Sequence, residues 1–197
     1  AYHNLEYLCE HAPGRLMGSK NSVIAVKYMQ NYFQSLGADT VFLQKYTSPS
    51  WSCQLSESNM IIDGKEMRMR TAALGTSPST PPDGLVAPIV EVYSLEELKI
   101  LDPHIIQGKI VFFNRSVDLK FINTFRGYGS AVDQRSKGPA LAAQLGASGV
   151  LIRSVSTKTD TFPHTGITHF EHQRIPCAAI STVDADLLSA ELKKHPD

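Results

Sequence analysis

The first fifty residues carry a helical apolar stripe that they have too little structure of their own to bury. Val26, Met29, Phe33 and Leu36 fall at helical spacing. Asn21 or Ser22 stands where a cap belongs, and Gly37 supplies the stop. Ahead of this helix, Leu5, Leu8 and Cys9 predict a shorter one over residues 2–11, ended by Pro13-Gly14. Behind it, Thr40 to Tyr46 alternates Val41, Leu43 and Lys45 against Phe42, Gln44 and Tyr46, which predicts a strand. Helix, helix, strand is too small a set to cover its own faces. Residues 1–50 are therefore expected to be a lead-in fragment of a larger fold, and residues 51–197 a separate domain.

From Trp51 onward the pattern changes. Met60-Ile61-Ile62 and Glu66 to Arg70 flank Asp63-Gly64, the two-residue signature of a type I′ hairpin. Residues Gly75 to Gly84 are rich in Pro, Ser, Thr and Gly and predict an exposed loop. A strand over Val86 to Val92, a short helix over Leu95 to Leu98 and a buried strand over Lys109 to Phe113 follow. Gly138-Pro139 opens a helix that runs to Gly146, with Pro in its first turn. Val150-Leu151-Ile152 and Cys177 to Ile180 read as strands, separated by a long polar loop from Ser154 to Arg174. Thr182 starts a last helix that ends near His195. Short strands with a few helices predict an α+β or β-rich domain, not a doubly wound one.

A chain of 197 residues buries roughly 70% of its unfolded surface on folding, so it needs neither disulfides nor metal to hold a core. Lys+Arg and Asp+Glu balance at 19 each. This argues against a nucleic-acid or membrane-surface partner, which would call for a basic face. Cys9, Cys53 and Cys177 match no zinc spacing and read as small buried apolar residues. The chain opens directly in helix-forming residues, with neither an initiator Met nor an apolar targeting segment, and reads as a mature or shortened chain.

Complete catalytic constellations are missing from the pattern. His169 and His172, with Glu171 between them, form the only close His pair. They fall in a loop without a third ligand at a recognisable spacing. His3, His11, His104 and His195 read as surface residues. There is no Gly-x-Ser-x-Gly elbow, and Cys177 lies in an apolar strand where its thiol would be inert. Arg126-Gly-Tyr-Gly-Ser130 reads as a mobile glycine turn, since the strand, loop and helix order of a phosphate site is lacking.

Several segments together carry a more specific signal. Gly14-Arg-Leu-Met-Gly-Ser-Lys-Asn21, the following helix with Leu36-Gly37, and Trp51 resemble the opening of zinc-dependent exopeptidases of the aminopeptidase type. Gly75, Thr80-Pro-Pro-Asp-Gly84, Gly108-Lys-Ile-Val-Phe112 and Gly138 to Ala147 resemble an inserted protease-associated (PA) domain. Leu151 to Val155, Pro163-His-Thr-Gly166 and Ile175 to Ile180 are similar to the plasma glutamate carboxypeptidase family. Their shared order along nearly the whole chain is what makes the resemblance specific.

The resemblance implies a PA-type β-barrel or sandwich with flanking helices, beside the cleft of a secreted or periplasmic peptidase. It also implies two zinc ions in the parent enzyme, whose ligands begin at a His-x-Asp motif beyond the PA insertion. No catalytic or metal residue of that set can be placed on this chain. The implied partners are the catalytic domain of the same protein, short peptide substrates and a second copy in a homodimer. Arg153, Ser154, His164, Thr165 and Gly166 are the candidates for substrate contact. Arg153 leaves the end of a strand, where an Arg fork suits a peptide carboxylate. Pro163 and Gly166 bracket His164 in a shaped turn. The alternatives are that Arg153 pairs with a nearby carboxylate, that His164 packs on Phe162, and that the domain is a free-standing peptide- or protein-binding module.

Overall fold

The structure, a computed structural model, describes residues 1–195. It divides into two compact units, Ala1–Ser52 and the chain from Cys53 onward.

In the first unit α1 (Tyr2–His11) and α2 (Lys20–Ser35) are joined by aromatic stacking. Tyr7 stacks on Tyr28 at 4.0 Å, and the Tyr28 hydroxyl donates to Asn4 Oδ1 at 3.0 Å. The cap of α2 is Ser19, whose Oγ accepts from the Ser22 amide at 3.1 Å. Asn21 instead donates its side-chain amide to the Pro13 carbonyl. The stripe of α2 remains largely open, with Val26, Phe33 and Leu36 at 49%, 48% and 63% exposure. The strand expected over residues 40–46 is irregular chain. A strand needs a neighbour for its amides and carbonyls, and among the described residues this segment has none.

The second unit begins with the hairpin β1 (Ser58–Ile62) and β2 (Lys65–Met69). Asp63 and Gly64 both take positive φ, 50° and 72°, as the type I′ turn requires. β3 (Thr71–Ala73), β4 (Ile89–Val92), β5 (Ile110–Phe113), β6 (Gly149–Arg153) and β7 (Cys177–Ile180) form one sheet in the order β3-β7-β6-β5-β4. β4 to β7 are parallel to their neighbours, and β3 is an antiparallel edge. α3 (Leu95–Ile100) and α4 (Pro103–Ile106) connect β4 to β5. α5 (Thr124–Gly129), α6 (Asp133–Ser136) and α7 (Gly138–Gln144) connect β5 to β6, and α8 (Thr182–Lys194) follows β7.

Strand alternation divides the core into two layers. Val111, Phe113, Val150, Ile152, Cys177 and Ala179 meet α3, α4 and α7 on one face. Phe112, Leu151 and Ile180 point the other way, against the hairpin residues Met60 and Met69 and α8 residues Ala185 and Leu188. Strands covered on both faces read as continuous apolar runs, which is how β5 and β6 look in sequence. Gly138 lets α7 approach β5 closely: a Cβ there would stand 2.8 Å from the Phe113 ring. Asp184, 2% exposed, ties the second layer together by accepting from Ser181 Oγ, the Arg70 amide and Arg70 Nη1 at 2.6, 2.8 and 2.9 Å.

The α+β class stands, and its β part is an open, largely parallel sheet with a hairpin laid on one face. The barrel or sandwich expectation missed the parallel pairing, because short apolar strands look alike whichever way they pair. The glycine turn at Arg126 to Ser130 is instead helix α5, capped by Asn123 Oδ1. Cys9 and Cys53 are exposed, contrary to expectation, and Cys177 is buried. Burial pushes the Cys177 thiol up to about 12, against a weaker downward pull from Ser77.

That shift sets a sign. Well below the ordinary thiol value of 9.0, both states hold the proton. Between 9.0 and about 12 only the unfolded chain releases it. Folding stability should therefore fall by about 1.4 kcal/mol per pH unit from this group alone. Urea unfolding from pH 8 to 11 should show a steeper loss in wild type than in Cys177→Ala; equal slopes would mean that the thiol does not resist ionisation.

Candidate functional site

The carboxyl ends of β5, β6 and β7 bring together the polar groups of the second unit, and the loop 154–174 folds over them. Arg153 is the last residue of β6. Its Nη1 donates to Asp186 Oδ1 at 2.6 Å and to Asn114 Oδ1 at 3.2 Å, and the side chain is only 12% exposed. The free guanidinium expected from the sequence is thus engaged, because the strand delivers it beside Asp186 of α8. Ser154 is buried; its Oγ donates to the Ile180 carbonyl at 2.6 Å and accepts the His164 amide at 2.7 Å.

His164 is held at a second point. Its Nδ1 lies 2.8 Å from the Val155 carbonyl. A carbonyl only accepts, so Nδ1 carries a proton and Nε2 is the nitrogen left for an outside partner. The ring meets Tyr128 edge-on at 6.2 Å, and Phe162, the expected packing partner, is 78% exposed instead. Thr165 Oγ1 donates to the Ala73 carbonyl at 2.6 Å. Gly166 accepts from the Gly75 amide at 2.8 Å, and Thr168, fully buried, donates its amide to the Gly75 carbonyl at 3.1 Å. The His169 amide reaches the Ser136 carbonyl at 3.1 Å. The long polar loop is therefore laced to the chain around Gly75 on one side and to α6 on the other.

Behind the turn lies a group that the sequence does not announce. Arg135, on α6, is 8% exposed. Its Nη2 donates to the Tyr128 hydroxyl, and its Cζ lies 5.5 Å from that ring's centroid. Gly166 abuts the guanidinium so closely that a Cβ would stand 2.6 Å from Cζ. Arg115, the neighbour on the β5 side, pairs with Asp133, and its backbone exchanges hydrogen bonds with the Gln134 side chain at 3.1 and 2.8 Å. A lone Arg between helical residues reads as a solvated position, so only its packing exposes its role. His169 and His172 are exposed loop residues. Among the described residues no three His, Cys, Asp or Glu side chains converge as metal ligands would, and no helix is long and apolar enough to cross a membrane.

No family model matches the chain. It is 34% identical over 191 residues to carboxypeptidase Q of Bos taurus and 33% identical to that of Homo sapiens, in each case covering 96% of this chain and 38% of the relative. Its structure matches a peptidase M28 precursor from Shewanella amazonensis with TM-score 0.90 and 35% identity, covering 98% of this chain and 44% of that one. The zinc aminopeptidase BSAP from Bacillus subtilis shares the fold at TM-score 0.60 and 19% identity, over 95% of this chain and 40% of that one. The chain is similar to carboxypeptidase Q and to this M28 peptidase precursor. It spans about two fifths of the length of these relatives.

The packing at Gly166 yields a direct check. Gly166→Ala forces its new Cβ against the Arg135 guanidinium and is expected to cost about 1–3 kcal/mol, the usual range for overpacking. That is roughly 3–10 °C in Tm for a chain of this size. An unchanged Tm would show that the turn and Arg135 are not in register.

Proposed function

We propose that this chain is the non-catalytic accessory region of a secreted zinc-dependent aminopeptidase or dipeptidase. In this reading residues 1–50 are a lead-in fragment of the catalytic domain. Residues 51–197 are a PA domain that shapes substrate access to the cleft. The observation that carries it is the match of 98% of this chain to 44% of an M28 peptidase chain at TM-score 0.90. The exposed stripe of α2 supports the same reading, since an apolar helix face calls for a partner. A free-standing binding module would have no use for that stripe.

Two zinc ions, held by residues of the remaining polypeptide, would activate water and polarise the scissile carbonyl. The contribution of this chain is positional. Arg153 and Ser154 fix the base of the turn, and His164, Thr165 and Gly166 line the path of a short peptide, with His164 Nε2 as the outward acceptor. The relatives' class also makes an extracytoplasmic location part of the proposal, and a homodimer is a further partner compatible with the open stripe.

Two measurements test it. In the full-length enzyme, His164→Asn keeps a donor at the Nδ1 position and deletes Nε2, and is expected to raise KM for dipeptides by roughly tenfold with kcat little changed, the signature of lost ground-state binding. Arg153→Ala should lower Tm more than it alters KM, since its guanidinium is engaged by Asp186. Wild-type kinetics in His164→Asn would reduce the turn to a spacer. Separately, in the 197-residue chain amides of α1 and α2 should exchange much faster than those of β5, β6 and β7. Equal protection in a monomer would show that residues 1–50 already have their full packing partner.

A further inference from the structure

Three arginines gather around the carboxyl ends of β5 and β6, and two of them have counter-charges. Arg115 pairs with Asp133 and Arg153 with Asp186. Arg135, the most deeply buried guanidinium of the three, has no carboxylate in ion-pair range among the described residues. Its Nε and Nη1 are covered by protein and have no hydrogen-bond partner. Burying a cation without an opposite charge is among the most expensive arrangements in a folded chain. The Tyr128 ring and hydroxyl relieve only part of that cost.

Tyr128 supplies the second half of the observation. It is half-buried, and its hydroxyl oxygen accepts from Arg135 Nη2. The hydroxyl proton itself has no partner among the described residues. An O–H donor and an uncompensated guanidinium therefore stand at one point, where the Gly166 backbone packs against the guanidinium. The field of a buried unpaired charge is screened little by solvent and emerges where the covering is thinnest. A carboxylate has the charge and the acceptor oxygens to meet both donors together.

We propose that Arg135 and Tyr128 form a carboxylate-binding site beneath the Pro163–Gly166 turn. The carboxylate comes either from a free ligand, such as a peptide terminus, or from a side chain of the remaining polypeptide. The site itself does not depend on the accessory-region reading; both named sources of its carboxylate do.

Thermal unfolding of the 197-residue chain in sodium acetate, against sodium chloride of equal ionic strength, reads the site. Acetate is expected to raise Tm saturably, by roughly 3–5 °C at ten times its dissociation constant. A dipeptide with a free carboxyl should act at lower concentration, and its carboxyl-amidated analogue should not act. Arg135→Met should abolish the response and raise Tm in chloride, because it removes a buried charge that nothing balances. Tyr128→Phe should weaken the acetate response, which keeps the test decisive should the methionine variant not fold. If acetate is silent while Arg135→Met raises Tm of the chain and lowers Tm of the full-length protein, the site stands and its carboxylate is a side chain of the remaining polypeptide. If Arg135→Met lowers Tm of the chain by several degrees and no carboxylate moves the wild type, the guanidinium is a packing element and the proposal fails. It fails equally if acetate stabilises wild type and Arg135→Met alike.

Discussion

Burial of β6 on both faces is the constraint from which most of the second unit follows. The strand pairs with β5 on one edge and β7 on the other, so its amides and carbonyls are satisfied without water. Val150 and Ile152 then serve one core layer and Leu151 the other. Its first residue, Gly149, sits close to its neighbours: a Cβ there would stand 2.8 Å from Leu85 Cδ2 and 3.3 Å from the Pro176 carbonyl. Its last residue, Arg153, is delivered at a fixed height beside α8. Ser154 follows directly, and its hydroxyl joins the end of β7 to the start of the His164 turn. A shift of one residue along β6 would exchange the two layers and dismantle the site in one step.

The same strand ends concentrate charge. Parallel strands finish side by side, so Asn114, Arg115, Arg153 and Ser154 arrive at one rim although nearly forty residues separate the two pairs. Ion pairs to Asp133 and Asp186 neutralise two of the guanidiniums there. Arg135 stands outside this balance. An apolar wall of Val117, Ala131 and Val155 beside Tyr128 lowers the local polarity, so the missing counter-charge matters more there than it would on an open surface.

The chain matches about two fifths of the length of its relatives, over nearly all of its own. The two units carry unequal burdens. The second has a two-layered core of its own, whereas the first is held by stacked aromatic rings and leaves its stripe open. For a helix, propensity and a cap suffice to draw the element. The strand expected after it did not form, because pairing has to be supplied by another strand.

The sequence by itself determined the elements whose signals are local. The helices α2 and α8, the Asp63-Gly64 hairpin and the apolar runs of β5, β6 and β7 were legible because spacing, caps and positive-φ residues act within a few positions. The order of motifs also made the exopeptidase resemblance readable. Only the tertiary structure decided that the runs pair in parallel, that Asp184 gathers Ser181 and Arg70, and that the 154–174 loop is laced down. It alone showed that Arg153 is engaged and that Arg135 is buried without a counter-charge. These outcomes depend on partners tens of residues away: hydrophobic burial brings such groups together without regard to sequence distance, and a charged side chain reads the same in sequence whether water or protein surrounds it.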